Sequence, residues 1–319
     1  ALLLAAAFGE LLINSRALIV HYHGHYYFPT YSAFHAGTDF GESYSYEVNY
    51  RQLQERFHRE NSGDWLLLPP VPYNPFENDF RPNVYPPTRP SFAECHYLGT
   101  DTTGRDVLAR LFYGFRNAMI FSLLYMVLVY AIGVTVGCAM GYLGGSFDLI
   151  AQRLVEIWSN IPFLYIVIIV ASILTPNLAW LLGIVVLFSW TGMTYYMRTI
   201  TYREKARDYV AAAQVLGAGT GRIIFGHILP NALSTLVTFI PFTLASATTL
   251  LTALDFLGFG LPPPTPSWGE LLRQGTANLN APWIVVSAFL ALVFILSLAT
   301  FIGEAIREAF DPKQFTVYQ

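Results

Sequence analysis

Residues 208–231 read DYVAAAQVLGAGTGRIIFGHILPN. Apolar runs lie on both sides of this segment, yet it is polar, rich in alanine and glycine, and keeps helical spacing. Ala211, Ala212 and Ala213 favour helix and permit close approach. Gly217, Gly219 and Gly221 are expected to divide the segment into two short helices. The stretch GRIIFGHIL (221–229) then climbs back into apolar sequence through Ile223, Ile224, Ile228 and Leu229. Pro230 follows at a position that suits the first turn of a helix. A connection this regular is more than a tether, and the rest of the chain says what surrounds it.

The 319 residues are 54% hydrophobic and 12% charged, whereas ordinary soluble domains carry about 25% charged residues. Mean hydropathy is +0.43. Five apolar runs, at about 118–140, 148–175, 177–198, 231–253 and 283–303, are each long enough for a bilayer core, which takes about 20 residues. ALLLAAAFGELLI (1–13) is too short to span and has no basic segment before it. It is expected to be the remnant of a first transmembrane helix, truncated here, which brings the spans to six. Pro162 and Pro241 fall inside runs, where neighbouring helices of a bundle can tolerate them. The expected fold is an all-α membrane protein.

Basic residues orient it. Arg198, Arg203, Lys205, Arg207 and Arg222 gather in the connection of about 199–230, which marks that side as cytoplasmic. Counting spans from there places 14–117 and 254–282 in the periplasm and both termini, including the tail 313–319, in the cytoplasm. The net charge of −3 gives no general attraction to nucleic acid.

Residues 14–103 form an aqueous insertion that holds half of the twenty tyrosines and nine of the nineteen prolines. Within it His21, His23 and His25 alternate in HYHGH; on an extended strand they would share one face, a pattern open to Zn²⁺ or Ni²⁺. The plain alternative is an aromatic segment just outside the membrane, and no carboxylate or thiolate completes a metal set. Residues 104–117, GRDVLARLFYGFRN, are amphipathic and read as an interfacial helix; the alternative is the opening turns of the next span. The membrane-spanning core is then 118–312.

Two further features concern a pathway. LDFLGFGLPPPTPSWGELL (254–272) leaves the fifth span with glycines and prolines that preclude a regular helix over 258–267. Such backbone at membrane depth must be buried in protein or line a cavity. Asp255 and Glu270 bracket it, Asp255 at the end of a span, and Trp268 suits a membrane interface. Inside the fifth span Thr235, Thr238, Ser246, Thr249 and Thr252 recur, as helix-packing groups or as a polar lining. Thr238, Ser246, Thr249 and Asp255 are the candidate pathway residues.

Some chemistry is missing. Neither Lys205 nor Lys313 sits in GxxxxGK[ST], so any ATP used must be bound by another chain. No GxSxG, HExxH or carboxylate pair suggests a catalytic centre. Cys95 and Cys138 lie in a polar and an apolar region, which argues against a disulfide.

The segment 208–231 resembles the EAA motif of bacterial ABC importer permeases: EAA, three residues, Gly, nine residues, then I-x-L-P. Here Ala211, Ala212, Ala213, Gly217, Leu229 and Pro230 occupy that frame. The family's Glu falls on Ala211 and its Ile on His227. HYLGTDTTGRDVLARLFYG (96–114), GHILPNAL (226–233), LDFLGFGLPPPTPSWGELL and GEAIREAFDP (303–312) look like the C-type subunit of the oligopeptide/dipeptide branch, nearest its Yej type. The resemblance spans about 96–312. It implies a type I importer transmembrane domain carrying a large periplasmic insertion, in the bacterial inner membrane. The partners it implies are a homologous second permease subunit, an ABC ATPase with two nucleotide-binding domains that holds ATP and Mg, and a periplasmic substrate-binding protein. The coupling residues it implies are Ala211, Ala212, Ala213, Gly217, Arg222, His227, Leu229 and Pro230. Expected cargo is oligopeptide or a peptide antibiotic such as microcin C, alternatively a nickel chelate or an oligosaccharide. A transporter working alone would usually show repeats or intramembrane charges, and a metalloenzyme would need more ligands than the histidines.

Overall fold

The computed structural model describes residues 9–32, 34–60 and 63–309. In chain order its elements are β1 (Ile19–Tyr22), β2 (His25–Tyr27), α1 (Tyr50–Glu60), β3 (Trp65–Leu67), α2 (Val107–Leu143), α3 (Gly145–Ser159), α4 (Phe163–Ile173), α5 (Leu178–Lys205), α6 (Asp208–Val215), α7 (Thr220–Ile223), α8 (Leu229–Phe256), α9 (Trp268–Ala277) and α10 (Pro282–Ala309). A π-helical turn, Ile224–Ile228, joins α7 to α8. Two compact units share these elements: Ala1–Met119 with Pro263–Leu292, and Ile120–Pro262 with Val293–Gln319.

The first unit contains the aqueous insertion. Its strands form an antiparallel sheet in the order β2-β1-β3, so the insertion adds strand structure to the expected all-α fold. Strand alternation sends Val20 and Leu66 inward, where they pack with Leu53 and Phe57 of α1 and with Phe40. Leu53 and Phe57 are four residues apart and therefore share one helix face. β1 turns into β2 at His23 and Gly24, both in the left-handed region (φ 49° and 80°). The three histidines expected on one strand face are thus divided: His21 lies in β1, His23 in the turn and His25 in β2. Among the described residues no group of His, Cys, Asp or Glu could hold a metal ion.

The expected remnant of a first span, 1–13, lies outside the described residues for 1–8. From Gly9 it is not an α-helix: Gly9–Leu11 form a single 3-10 turn. Ile13 then pairs with Val71 and joins a small core with Tyr73 and Ala109.

Residues 104–117 do not make a separate interfacial helix. α2 starts at Val107 and runs unbroken to Leu143, so the amphipathic stretch is its opening turns. Asp106 stops the helix from starting earlier; its Oδ1 accepts the Ala109 N–H at 2.6 Å, satisfying one of the unpaired amides of the first turn.

In the second unit α5 opens on Asn177, whose side chain accepts the Trp180 N–H at 2.9 Å. α8 opens with Pro230 in its first turn and continues through a buried Pro241. Gly133, Gly137 and Gly141 lie at four-residue intervals along α2 and face α5. A Cβ on Gly137 would stand 2.5 Å from the Thr194 carbonyl oxygen and 2.7 Å from Met197 Cβ. Bare glycine faces of this kind let membrane helices meet backbone to backbone.

Four helices, α2, α5, α10 and α7–α8 taken together, are long and apolar enough to cross a membrane. The run expected as one straight span at 148–175 is instead α3 and α4, bent by 61°, and counts as a fifth span only as a broken pair. Pro162 explains the break, because it lacks an N–H to donate back and disfavours helix at the residue before it.

Candidate functional site

The segment 199–230 builds its shape from local rules. α5 ends at Lys205, and Arg207 leads in extended conformation into α6. Val210 and Ala213 turn inward; Ala211 and Ala212 are exposed. α6 ends at Val215, and Gly217, just past its C-cap Leu216, takes φ +81°. The Ala218 N–H returns to the Ala213 carbonyl at 3.0 Å and the Gly217 N–H to that of Gln214 at 3.0 Å, a Schellman ending. Nothing lies within 4 Å of a Cβ placed on Gly217, so the backbone angle rather than crowding calls for glycine there. The break is made at Gly217 alone: Gly219 precedes α7 in an ordinary extended conformation and Gly221 lies inside α7.

This ending pushes two large apolar side chains outward. Val215 is 88% exposed and Leu216 is 86% exposed. Beside them a cleft of about 480 Å³ is lined by Ala212, Ala213, Gly217, Arg222 and His227, together with Tyr209, Leu216 and Ala218. Ala211 lies outside the cleft, and Leu229 and Pro230 begin α8. Behind it Ile223, Ile224 and Ile228 are buried and root the π turn.

The hydroxyl-bearing residues of α8 separate into two sets. Thr248 hydrogen-bonds Ser122 at 3.0 Å and Thr243 hydrogen-bonds Tyr130 at 2.9 Å, joining α8 to α2. These are packing contacts. Ser246 and Thr249 are exposed, and Thr238 is half-buried and donates to the Thr235 carbonyl at 2.7 Å. Asp255 is 5% exposed and turns into the chain that leaves α8. Its Oδ1 accepts the Leu261 N–H at 2.6 Å, while Gly258, at φ +83°, repeats the Schellman ending with Phe259 N–H to Leu254 O at 2.9 Å. A Cβ on Gly260 would sit 1.8 Å from Asp255 Oδ1, so the carboxylate occupies the space a side chain would need.

Residues 258–267 are non-helical, as the glycines and prolines require. In the first unit the later part of this loop is held by a buried charged quartet. Arg105 Nε donates to Asp101 at 2.7 Å and its Nη2 donates to Glu270 at 3.0 Å. Arg110, fully buried, donates to the carbonyls of Pro75 (2.9 Å), Pro264 (3.1 Å) and Thr265 (3.4 Å) and to the Glu270 carboxylate. Two cations and two anions balance, which is the condition for keeping charges out of water. Trp268 is 4% exposed, stacks on Phe115 and donates to the Leu111 carbonyl at 2.7 Å; it is buried in protein rather than placed at a lipid interface. Gly114 makes room for it. Sequence reasoning singled out Glu270 and missed Asp101, Arg105 and Arg110 as its partners; the available signal was two arginines set among apolar residues just before a span.

A second buried group stands beside the quartet. His96, fully buried against the Tyr73 ring, contacts Asp106 Oδ2 at 2.7 Å through Nδ1 and Asp79 Oδ2 at 3.0 Å through Nε2. Burial alone would lower the His96 pKa, but the hydrogen bonds to Asp106 and Asp79 outweigh it and raise it. The hydrogen bond from His96 holds the Asp79 carboxyl well below the usual carboxylate range, against burial and with help from Arg81.

Comparison with known proteins assigns the frame. Residues 133–316 match the family described as binding-protein-dependent transport system inner membrane component. The chain is 43% identical over 305 residues to the inner membrane ABC transporter permease protein YejE of Escherichia coli, covering 96% of this chain and 88% of that one. It is 38% identical to the peptidoglycan transport system permease protein YejE of Agrobacterium fabrum (96% and 85% covered). It is 35% identical to the dipeptide transport system permease protein DppC of Haemophilus influenzae (78% and 85% covered). In fold it resembles the inward-facing MetNI methionine ABC transporter, with a TM-score of 0.53 at 17% identity over 64% of this chain and 97% of that one. The exposed, glycine-ended segment at 208–231 and the buried polar anchoring of the loop after α8 therefore belong to a multi-pass membrane permease: the chain is a member of the binding-protein-dependent transport system inner membrane component family of ABC transporters.

Proposed function

We propose that this chain is the permease subunit of an ATP-driven importer that carries oligopeptides from the periplasm to the cytoplasm by alternating access. The observation that carries the reading is Val215 and Leu216, both more than four-fifths exposed on a charged, polar connection beside a ready-made cleft. Two adjacent large apolar side chains held out beside a cleft by a helix ending suit a protein partner. That partner is an ABC ATPase with two nucleotide-binding domains, which binds the ATP and Mg. The chain carries no P-loop lysine, and ATP hydrolysis is assigned to that partner. A homologous permease subunit completes the pathway, and a periplasmic binding protein delivers cargo. The basic 199–230 connection faces the cytoplasm, and the end of α10 lies on the same side.

Peptide cargo is supported by relatives named for dipeptide, oligopeptide and peptidoglycan transport. Peptide antibiotics such as microcin C fit the same class. The exposed Ser246 and Thr249, with Thr238, form the polar stripe of α8 that would face the second subunit or the pathway. Asp255 sets the geometry where the chain leaves that helix.

The test is co-purification of the chain from membranes with its ATPase subunits, followed by peptide uptake in proteoliposomes supplied with the binding protein. Leu216→Asp is expected to abolish ATPase co-purification while membrane insertion is retained. Retention of the ATPase by Leu216→Asp, or ATP-independent uptake by the isolated chain, would sink the proposal.

A further inference from the structure

We infer that the corner between α2 and α3 is a second output of the coupling segment, and that Asp148 is the positioning residue that makes α3 follow it. The inference rests on the reading of 208–231 as the contact with the ATPase. It goes beyond the direct route through the chain, in which α6 moves α5 and α8 because it is covalently joined to them.

The corner itself is a pliable joint. Gly144 and Gly145 both lie in the left-handed region (φ 66° and 54°), and nothing stands within 4 Å of a Cβ at Gly145. Two consecutive residues without side chains transmit little torque. Side chains supply the stiffness instead. Lys205, the last residue of α5, donates to the Tyr142 carbonyl at 2.6 Å, one of the carbonyls left open at the end of α2. Gln214, on α6 itself, donates to the Tyr142 hydroxyl at 3.2 Å. One turn into α3, Asp148 receives Arg198 in a two-pronged pair, Nε to Oδ1 and Nη2 to Oδ2 both at 2.6 Å, and the Tyr202 hydroxyl at 2.5 Å.

The balance of contacts on α3 makes Asp148 decisive. Leu149, Ile150, Leu154 and Ile157 are all more than 60% exposed. Asp148 and Val155 are the buried side chains of this helix. At its far end Trp158 donates to the Leu187 carbonyl at 2.8 Å and stacks on Phe188. α3 is therefore pinned to α5 near both ends and packs little between, and the pin nearer the coupling segment is a charged one. A carboxylate buried at 3% exposure with three charge-assisted or hydroxyl donors has a single well-defined geometry. A displacement of α6 reaches α3, and through it the bent α3–α4 pair, by way of that carboxylate.

The experiment uses the assembled complex of permease subunits, ATPase and binding protein in proteoliposomes, reading ATP hydrolysis and peptide import in the same preparation. Asp148→Asn keeps the shape of the side chain and removes its charge. The expected result is hydrolysis within about twofold of the parent and import per ATP lowered about tenfold, a coupling loss of ordinary size. Asp148→Glu is expected to restore part of that yield, and Arg198→Lys, which keeps the charge but not the fork, to fall between. In a Cys95→Ser, Cys138→Ala background, spin labels at positions 150 and 208 report whether α3 tracks α6 on ATP binding. Their separation is expected to hold in the parent and to change in Asp148→Asn. Unchanged import per ATP, a proportional loss of import and hydrolysis, or labels that behave alike in both proteins would overturn the inference. If Asp148→Asn does not accumulate, Arg198→Lys is read by the same ratio, and an unchanged ratio overturns it. Failure of the ATPase to co-purify with the parent chain would overturn the functional reading instead, and is scored separately.

Discussion

Arg110→Met should be among the most damaging single changes in the chain. The guanidinium is fully buried and donates to the carbonyls of Pro75, Pro264 and Thr265 and to Glu270, with its Nε 3.4 Å from the Asp101 carboxylate. Each carbonyl left without a donor costs about 1 kcal/mol, so the three together approach 3 kcal/mol. Glu270 keeps Arg105 at 3.0 Å but loses half its compensation. Breaking a buried ion pair from one side costs about 3–5 kcal/mol, which agrees with the sum over carbonyls plus a partly stranded carboxylate. Arg110→Lys should cost about 1–3 kcal/mol, because an ammonium keeps the charge balance but cannot serve acceptors spread over a planar fork. Adding Glu270→Gln to Arg110→Met should recover about 1–2 kcal/mol by removing the stranded charge. Denaturant titration of the purified chain in mixed micelles, followed by tryptophan fluorescence, reads all three, and Trp268 lies beside the quartet. A loss below about 1 kcal/mol for Arg110→Met, or full stability of Arg110→Lys, would refute the claim that one guanidinium organises this loop.

Four other outcomes are expected. Gly137→Ala should cost about 1–3 kcal/mol, since its Cβ would meet the Thr194 carbonyl at 2.5 Å and backbone cannot step aside. Gly183→Ala, with open space around it in α5, should be neutral or slightly stabilising in the same titration. Gly260→Ala should displace the Asp255 carboxylate from the Leu261 N–H and reduce import while the chain still inserts, measured as uptake per amount of membrane-inserted protein. The His96 group should give the insertion a pH signature. The His96 pKa is raised, so its contribution is complete below the unfolded value near 6.5 and is lost as pH rises through the higher folded value. The Asp79 pKa is lowered, so its contribution is complete above 3.8 and is lost as pH falls through the lower folded value. Resistance of the first unit to proteolysis should therefore peak between about pH 4 and 6.5, and His96→Gln should flatten the profile; an unchanged profile in that variant would count against the assignment.

Much of the membrane architecture could be read from the chain because its causes are local. Twenty apolar residues in a row can satisfy a bilayer only as a helix. A glycine followed by a return to helix marks a stop, and so Gly217 and the non-helical exit at 258–267 stand where the sequence puts them. Other features depend on partners distant in the chain. The 148–175 run has the composition of one span and yet bends by 61° at Pro162, which caps a new helix, whereas Pro241 is carried inside α8, and composition alone does not tell the two prolines apart. The 104–117 stretch has the periodicity of an interfacial helix. Its polar face is spent instead on Asp101, Glu270 and the carbonyls of a loop more than 150 residues away, so amphipathicity was a true signal of a buried polar environment rather than of a lipid surface. The same logic divides the hydroxyls of α8. Thr243 and Thr248 look like Ser246 and Thr249 in the sequence, and only the presence of Tyr130 and Ser122 on α2 turns the first two into packing contacts and leaves the others outward. Spacing reports which face a polar group occupies; what that face meets is decided by the fold, and in this chain the polar groups that meet other parts of the same chain are its anchors, while those left outward are where a partner or a substrate has to be sought.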